Sequence, residues 1–366
     1  MAEPFRVYGS ELSYFTAKAR AALLAKRVFF EERLATPTAY RDVLLPRTGL
    51  AFLPTIVTPE DETWQDTSDI LDALEQRVPG IPLYPKTPVQ RFVAFLWELY
   101  CDEFLVLPAL HYRWSFPESE WKARRDFAAT SGDATGANRL ADFIKNLGRA
   151  AVGVTEETAP AVEAHTAELL DGLEAHFAEH RFLLGDRPSL ADCSLMGPLY
   201  PHLYLDAVPA RLLRERAPRT CHWIERMNHP EVEGFGEYLP GDALAATMRP
   251  LLEGIGRDAL PPLLDCARAF DAWADGASEA EEPPRSVGVH ATQIRGIPVQ
   301  RSTSPYTVWM LQRPLDALRA SPHARPSIER ALDGTGCEAL LAHVPRYRLG
   351  KRRFKLLLEP ASGPVH

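Results

Sequence analysis

The sequence predicts an α/β layer domain over residues 1–84, an all-helical domain over 88–240 and an α+β extension over 242–366. Three observations predict this. Short strand and helix patterns alternate as far as the proline-rich link Ile81-Pro82-Leu83-Tyr84-Pro85. From Pro88 onward apolar residues recur only at helical spacing. Beyond Ser278-Glu279-Ala280-Glu281-Glu282-Pro283-Pro284, an acidic linker, alternation with period two returns.

The elements follow in order. Phe5–Tyr8 reads as a strand, Thr16–Lys26 as a helix, and Val28–Leu34, rich in β-branched and aromatic residues, as a second strand. Thr38–Leu45 reads as a short helix stopped by Pro46. Thr55–Thr58 and Thr63–Gln65 are short strands around a polar turn at Pro59-Glu60-Asp61, and Thr67–Gln76 places Ile70, Leu71 and Leu74 on one helical face. In the second domain Phe92, Phe95, Leu96, Leu99 and Phe104 form one stripe, and Val162, Thr166, Leu169, Leu173 and Phe177 another. Ser131–Gly136 reads as an exposed loop, and Ser189-Leu190-Ala191-Asp192 as a capping box. In the extension, Asp242–Gly254 and Leu260–Ala274 are helical. Val287–Ile294 and Ile297–Thr303 form a hairpin around Arg295-Gly296. A helix near Tyr306–Arg319 and a strand at Phe354–Glu359 complete it.

With 366 residues, 46% hydrophobic and 25% charged, the chain is long enough for two or three cores. A net charge of -8 disfavours general binding to nucleic acid or anionic membranes. No apolar run reaches spanning length, and no leader pattern precedes the first strand. The five cysteines lack any CxxC pair, which suits a reducing cytoplasm and argues against a cysteine metal site.

The chemistry concentrates in the first 80 residues. Ser13-Tyr14-Phe15 precedes a helix carrying Lys18 and Arg20, Leu53-Pro54-Thr55 opens a strand, and Asp66-Thr67-Ser68-Asp69-Ile70 opens a helix. A cis bond at Leu53–Pro54 would turn the Leu53 N–H and C=O toward a groove, where a peptide can add like a strand. A helix opening at Thr67 would offer an anion site for a carboxylate, with Asp66 beside it for an ammonium. A hydroxyl at the start of the first helix, together with the helix dipole, favours thiolate over thiol. Lowering a thiol pKa by about two units takes about 2.7 kcal/mol. At a Brønsted slope of about 0.45 the net gain is only a few-fold, so placing the electrophile must do most of the work.

These motifs resemble the cytosolic glutathione transferase family over roughly residues 5–230, and most closely its bacterial members with an added C-terminal region. The resemblance implies a thioredoxin-like first domain and an all-helical second one. It also implies a homodimer that conjugates glutathione to a small hydrophobic electrophile, as in detoxification, with glutathione as co-substrate and no other cofactor. Tyr14 would then contact the thiol, with Ser13 as its rival and Thr16 a weaker one. Leu53, Pro54, Thr55, Asp66 and Thr67 would hold the peptide. Arg41 or Arg47 would take the glycyl carboxylate. The chain departs from the tyrosine branch in having Ala19 for glycine and Asp66 for glutamine. A non-catalytic scaffold keeping this fold, or a Ser13-dependent isomerase or peroxidase, is the alternative.

Other features have plainer readings. Trp97, Tyr100, Tyr112 and Trp114 are more often core than pocket at this spacing, though His111-Tyr112-Arg113-Trp114 is the best candidate wall for a second substrate. His176 and His180 stand four apart without a third ligand, so a solvated helix face outweighs a metal site. The basic run Arg346, Arg348, Lys351, Arg352, Arg353 and Lys355 reads as a charged strand edge that the acidic linker could neutralise.

Overall fold

A computed structural model describes residues 3–230, 234–278 and 281–360. The first domain runs β1 (Phe5–Gly9), α1 (Tyr14–Ala25), β2 (Phe30–Leu34), α2 (Pro37–Ala39), α3 (Leu45–Thr48), β3 (Thr55–Val57), β4 (Thr63–Gln65) and α4 (Thr67–Arg77). Its sheet has the order β2-β1-β3-β4, parallel between β1 and β2 and antiparallel elsewhere. Pro46 does not stop the helix expected over 38–45. A π-turn at Tyr40–Leu44 joins α2 to α3, and the proline falls at the start of α3, where its missing N–H is tolerated.

The second domain contains α5 (Pro88–Glu103), α6 (Val106–Trp114), α7 (Pro117–Ser131), α8 (Ala134–Phe143), α9 (Arg149–Val152), α10 (Ala159–Glu179), α11 (Leu190–Pro198), α12 (Ala207–Arg216) and α13 (Pro218–Asn228). The loop expected over 131–136 shrinks to Gly132-Asp133. Gly132 turns the chain at φ 68°, and Asp133 caps α8 through the Thr135 N–H. Asp192 accepts from the Ser189 main-chain N–H at 2.9 Å, as the capping box requires. The Trp97, Tyr100, Tyr112 and Trp114 side chains are core, none more than 4% exposed, so the expected aromatic wall is not a pocket surface. Arg113 in that stretch is buried on Asp206.

The extension comprises α14 (Met248–Gly254), α15 (Leu260–Ala274), β5 (Val289–Ile294), β6 (Ile297–Ser302), α16 (Pro305–Arg319), α17 (Arg325–Leu332), α18 (Glu338–Leu341), β7 (Tyr347–Arg352) and β8 (Lys355–Pro360). Its first helix starts at Met248 rather than Asp242. Asp242, at φ 60°, instead accepts hydrogen bonds from the Val89 and Gln90 N–H groups and caps α5. Arg295 and Gly296 both have positive φ, as the β5–β6 turn demands. The basic run, expected as a charged strand edge, does lie on strand: it covers β7, the turn after it and the first residue of β8. Residues 279 and 280 of the expected linker lie outside the described residues, but Glu282 does pair with Lys355 at 2.6 Å.

One apolar core runs through all three parts, from Val7 to Leu358. Helix α14 lies against α10 so closely that a Cβ on Gly172 would stand 2.6 Å from Leu251 Cδ2. Among the described residues no helix is long and apolar enough to cross a membrane.

Candidate functional site

Strand register gathers the motifs. Thr55 pairs with Tyr8 on one side and with Gln65 on the other. The chain therefore leaves β1, enters β3 and leaves β4 at one end of the sheet, where Ser13, Leu53-Pro54 and Asp66-Thr67 all sit. The Leu53–Pro54 bond is cis. Among the described residues neither the N–H nor the C=O of Leu53 has a hydrogen-bond partner. Pro54 is buried, and Thr55 is fully buried with its hydroxyl on the Phe52 carbonyl at 3.3 Å.

Ser13 is the half-buried N-cap of α1, its Oγ accepting from the Thr16 N–H at 3.3 Å. The turn before it is held by a bond from the Ser13 N–H to the Ser10 carbonyl and by Arg113 donating to the Leu12 carbonyl at 3.1 Å. Tyr14 starts the helix and is buried. Its ring packs on Gly197, where a Cβ would lie 2.8 Å from Cε1, and edge-on to His202. Its hydroxyl donates to the Cys101 carbonyl at 2.5 Å. Burial pushes that phenol well above its usual pKa. The expectation that Tyr14 meets a thiol is thereby corrected: its hydroxyl is spent inside the domain interface. Thr16, the weaker candidate, is fully buried against Gly9.

At the α4 N-terminus, Asp66 is the N-cap and sits at φ 72°, a strained value for a non-glycine residue. Thr67 is 4% exposed as the first helical residue. The Asp66 carboxylate was expected to await a ligand ammonium, and the extension already supplies one. Lys351 Nζ lies 2.8 Å from Asp66 Oδ2 and 3.0 Å from Asp69 Oδ1. Tyr306 donates its hydroxyl to Asp66 Oδ1 at 2.8 Å, and the Ser68 N–H donates to the same oxygen at 3.0 Å. The lysine ammonium also rests 3.4 Å from the centre of the Trp309 ring. Burial pushes Asp69 up to about 6 in spite of Lys351.

Arg47, a candidate for the glycyl carboxylate, already has partners. It pairs with Asp61 at 2.7 Å and with Thr63, holding the β3–β4 turn. Arg41 pairs with its neighbour Asp42. Another cation from the extension, Arg285, stacks over Phe52 at 4.4 Å, next to Leu53. Lys351, Tyr306 and Arg285 lie more than two hundred residues from the motifs they join. Nothing in their local sequence signals that role.

Beneath the site lies a buried ion network. Lys18, fully buried, pairs with Glu98 at 2.8 Å and Asp102 at 2.6 Å. Arg313 bridges Glu98 and Asp72, and the Ser68 hydroxyl donates to Glu98. Burial opposes the Glu98 charge, but Arg313 and Lys18 hold its pKa down at about 2. Burial lifts Asp102 to about 7, and its Oδ1 has no partner among the described residues. No group of three or more His, Cys, Asp or Glu side chains is placed to hold a metal among the described residues. His176 instead bonds Thr247 and the Phe182 carbonyl.

Comparisons with known proteins match two parts of the chain to family models. Residues 7–82 match the family model of the glutathione S-transferase N-terminal domain, and residues 138–231 that of its C-terminal domain. Similar solved structures include the β-etherase LigF from Sphingobium sp. strain SYK-6, at 16% identity over 62% of this chain and 96% of that one, with a TM-score of 0.44. A glutathione S-transferase from Rhodospirillum rubrum F11 is 18% identical over 66% and 96%, with a TM-score of 0.42. The tau-class MiGSTU from mango, Mangifera indica, is 18% identical over 64% and 96%, with a TM-score of 0.40. No match was found among curated proteins.

Proposed function

The first two domains of this chain belong to the glutathione transferase family, and from that premise we propose that it is a thiol-peptide-dependent enzyme in which Ser13, not Tyr14, faces the sulfur. The observation that carries this is the different engagement of the two hydroxyls. Tyr14 is committed to the Cys101 carbonyl, while Ser13 caps α1 half-buried. The Ser13 oxygen accepts from Thr16, which leaves its own hydrogen free to donate to a thiolate at the positive end of the helix. The unpaired Leu53 main chain and the α4 N-terminus would hold the peptide backbone and a carboxylate. A small hydrophobic electrophile as second substrate, a homodimeric assembly and a cytoplasmic setting rest on the family alone, apart from five buried free cysteines that suit a reducing compartment.

Steady-state conjugation with Ser13→Ala and Tyr14→Phe tests this reading. The serine variant should lose at least tenfold in kcat/KM and the phenylalanine variant less than twofold; the reverse pattern rejects it. A second reading, a binding protein without turnover, is favoured by Lys351 and Tyr306 already occupying Asp66. Saturable thiol binding with no turnover toward any electrophile, in wild type and both variants alike, would select it.

A further inference from the structure

Resting on the reading that this groove binds a thiol peptide, we propose that its co-substrate is a carboxylate-bearing thiol without an ammonium at the end that meets Asp66. In glutathione that end is zwitterionic, a carboxylate beside an ammonium. Here the ammonium seat is filled by the chain itself. Lys351 bonds Asp66 Oδ2 at 2.8 Å and both oxygens of Asp69 at 3.0 and 3.1 Å. The other Asp66 oxygen takes the Tyr306 hydroxyl and the Ser68 N–H. Both oxygens of the carboxylate that would greet a ligand cation are therefore already engaged.

Lys351 is anchored on more than charge. Its side chain is 13% exposed, and its ammonium sits over Trp309 at 3.4 Å and Tyr306 at 5.4 Å. A ligand ammonium entering here would share Asp66 with a fixed positive charge a few ångströms away, in a partly desolvated setting where like charges repel strongly. Displacing Lys351 would leave Asp69 without the cation it shares with Asp66 and strip the aromatic face of its partner. A carboxylate is favoured by the α4 N-terminus and by Lys351, which offsets the repulsion from Asp66 and Asp69. The same residue that repels the amine attracts the acid.

The experiment titrates the full chain with two thiols of nearly equal size, glutathione and glutaryl-cysteinylglycine, in which the ammonium of glutathione is replaced by hydrogen. Calorimetry should find the glutaryl compound at least tenfold tighter in wild type. Lys351→Gln should invert the preference, with glutathione gaining tenfold or more, while Lys351→Arg, which keeps the charge, should retain it. Circular dichroism on each variant separates misfolding from altered recognition, and the wild-type comparison stands even if Lys351→Gln fails to fold. Glutathione binding wild type as tightly as the glutaryl compound overturns the inference and leaves the thiol-peptide reading intact. Binding of neither thiol to any folded variant overturns both.

Discussion

Ser13 and Tyr14 are adjacent in sequence and part company because one is a cap and the other the first helical residue. The cap keeps extended backbone and spends its oxygen on the Thr16 N–H, while the helical residue turns its ring onto Gly197. The Tyr14 hydroxyl satisfies the Cys101 carbonyl, which lies in the last turn of α5 where carbonyls lack intrahelical donors. Tyr14→Phe should therefore cost about 1–3 kcal/mol of stability, the penalty of a buried acceptor left bare. Urea unfolding would register it as a lower midpoint at unchanged slope. Glu103 gives a pH prediction. Burial lifts its carboxyl to about 8, although Thr307 bonds it and Arg301 lies near. An unfolded glutamate titrates near ~4.3, so between that value and about 8 the folded state holds the extra proton. Its stability contribution is full below the unfolded pKa and is lost as pH rises through the folded one. Chemical unfolding between pH 5 and 9 should show stability falling less steeply in Glu103→Gln than in wild type. Equal slopes would refute the assignment.

At the scale of elements, α1, α4, α5 and α16 are tied by the buried network of Lys18, Glu98, Asp102, Asp72 and Arg313. Lys18→Met removes the cation and leaves two carboxylates at 0% and 2% exposure, so it should destabilise by about 3–5 kcal/mol. A thermal or urea series would measure it, and a loss below 1 kcal/mol would contradict the network's role. Lys18 stood out in the sequence only as part of a motif beside Tyr14, since a lone lysine in a helix gives no sign of burial. What the sequence did reveal were features with local causes. The Arg295-Gly296 turn, the Asp192 capping box and the Leu53-Pro54 opening of β3 each follow from backbone chemistry within a few residues. The misjudged parts depend on distant partners. Asp242 looked like a helix start because its use as the α5 cap is 153 residues away in sequence from Val89. The basic run was legible as a charged strand edge, but its partners were not: Arg346, Arg348 and Lys351 are matched by Asp275, Asp316, Asp66 and Asp69.

At the scale of the molecule, the extension is built into the core instead of hanging from it. Trp97 Nε1 of α5 meets the Met248 sulfur of α14 at 3.3 Å, and Gln90 reaches the carbonyls of Leu239 and Ala243. Arg313 of α16 lies over the Phe95 ring at 5.0 Å while bonding Glu98, so removing the extension would bare an aromatic face and strip a buried carboxylate of one of its two cations. A chain ending at Pro240 keeps the regions that match both family models, and on their account alone it should fold. The shared core argues otherwise. Exposed apolar surface on α5 and α10, together with a half-neutralised Glu98, should make that fragment aggregate or bind hydrophobic dye, while the full chain melts in one calorimetric transition with matching calorimetric and van't Hoff enthalpies. A soluble, monomeric fragment melting at the full-length temperature would mean that the extension is an independent attachment. Lys351 would then reach Asp66 from a body that can lift away, and the thiol preference argued above would become conditional on that motion. A single shared transition makes Lys351 as permanent a part of the site as Pro54.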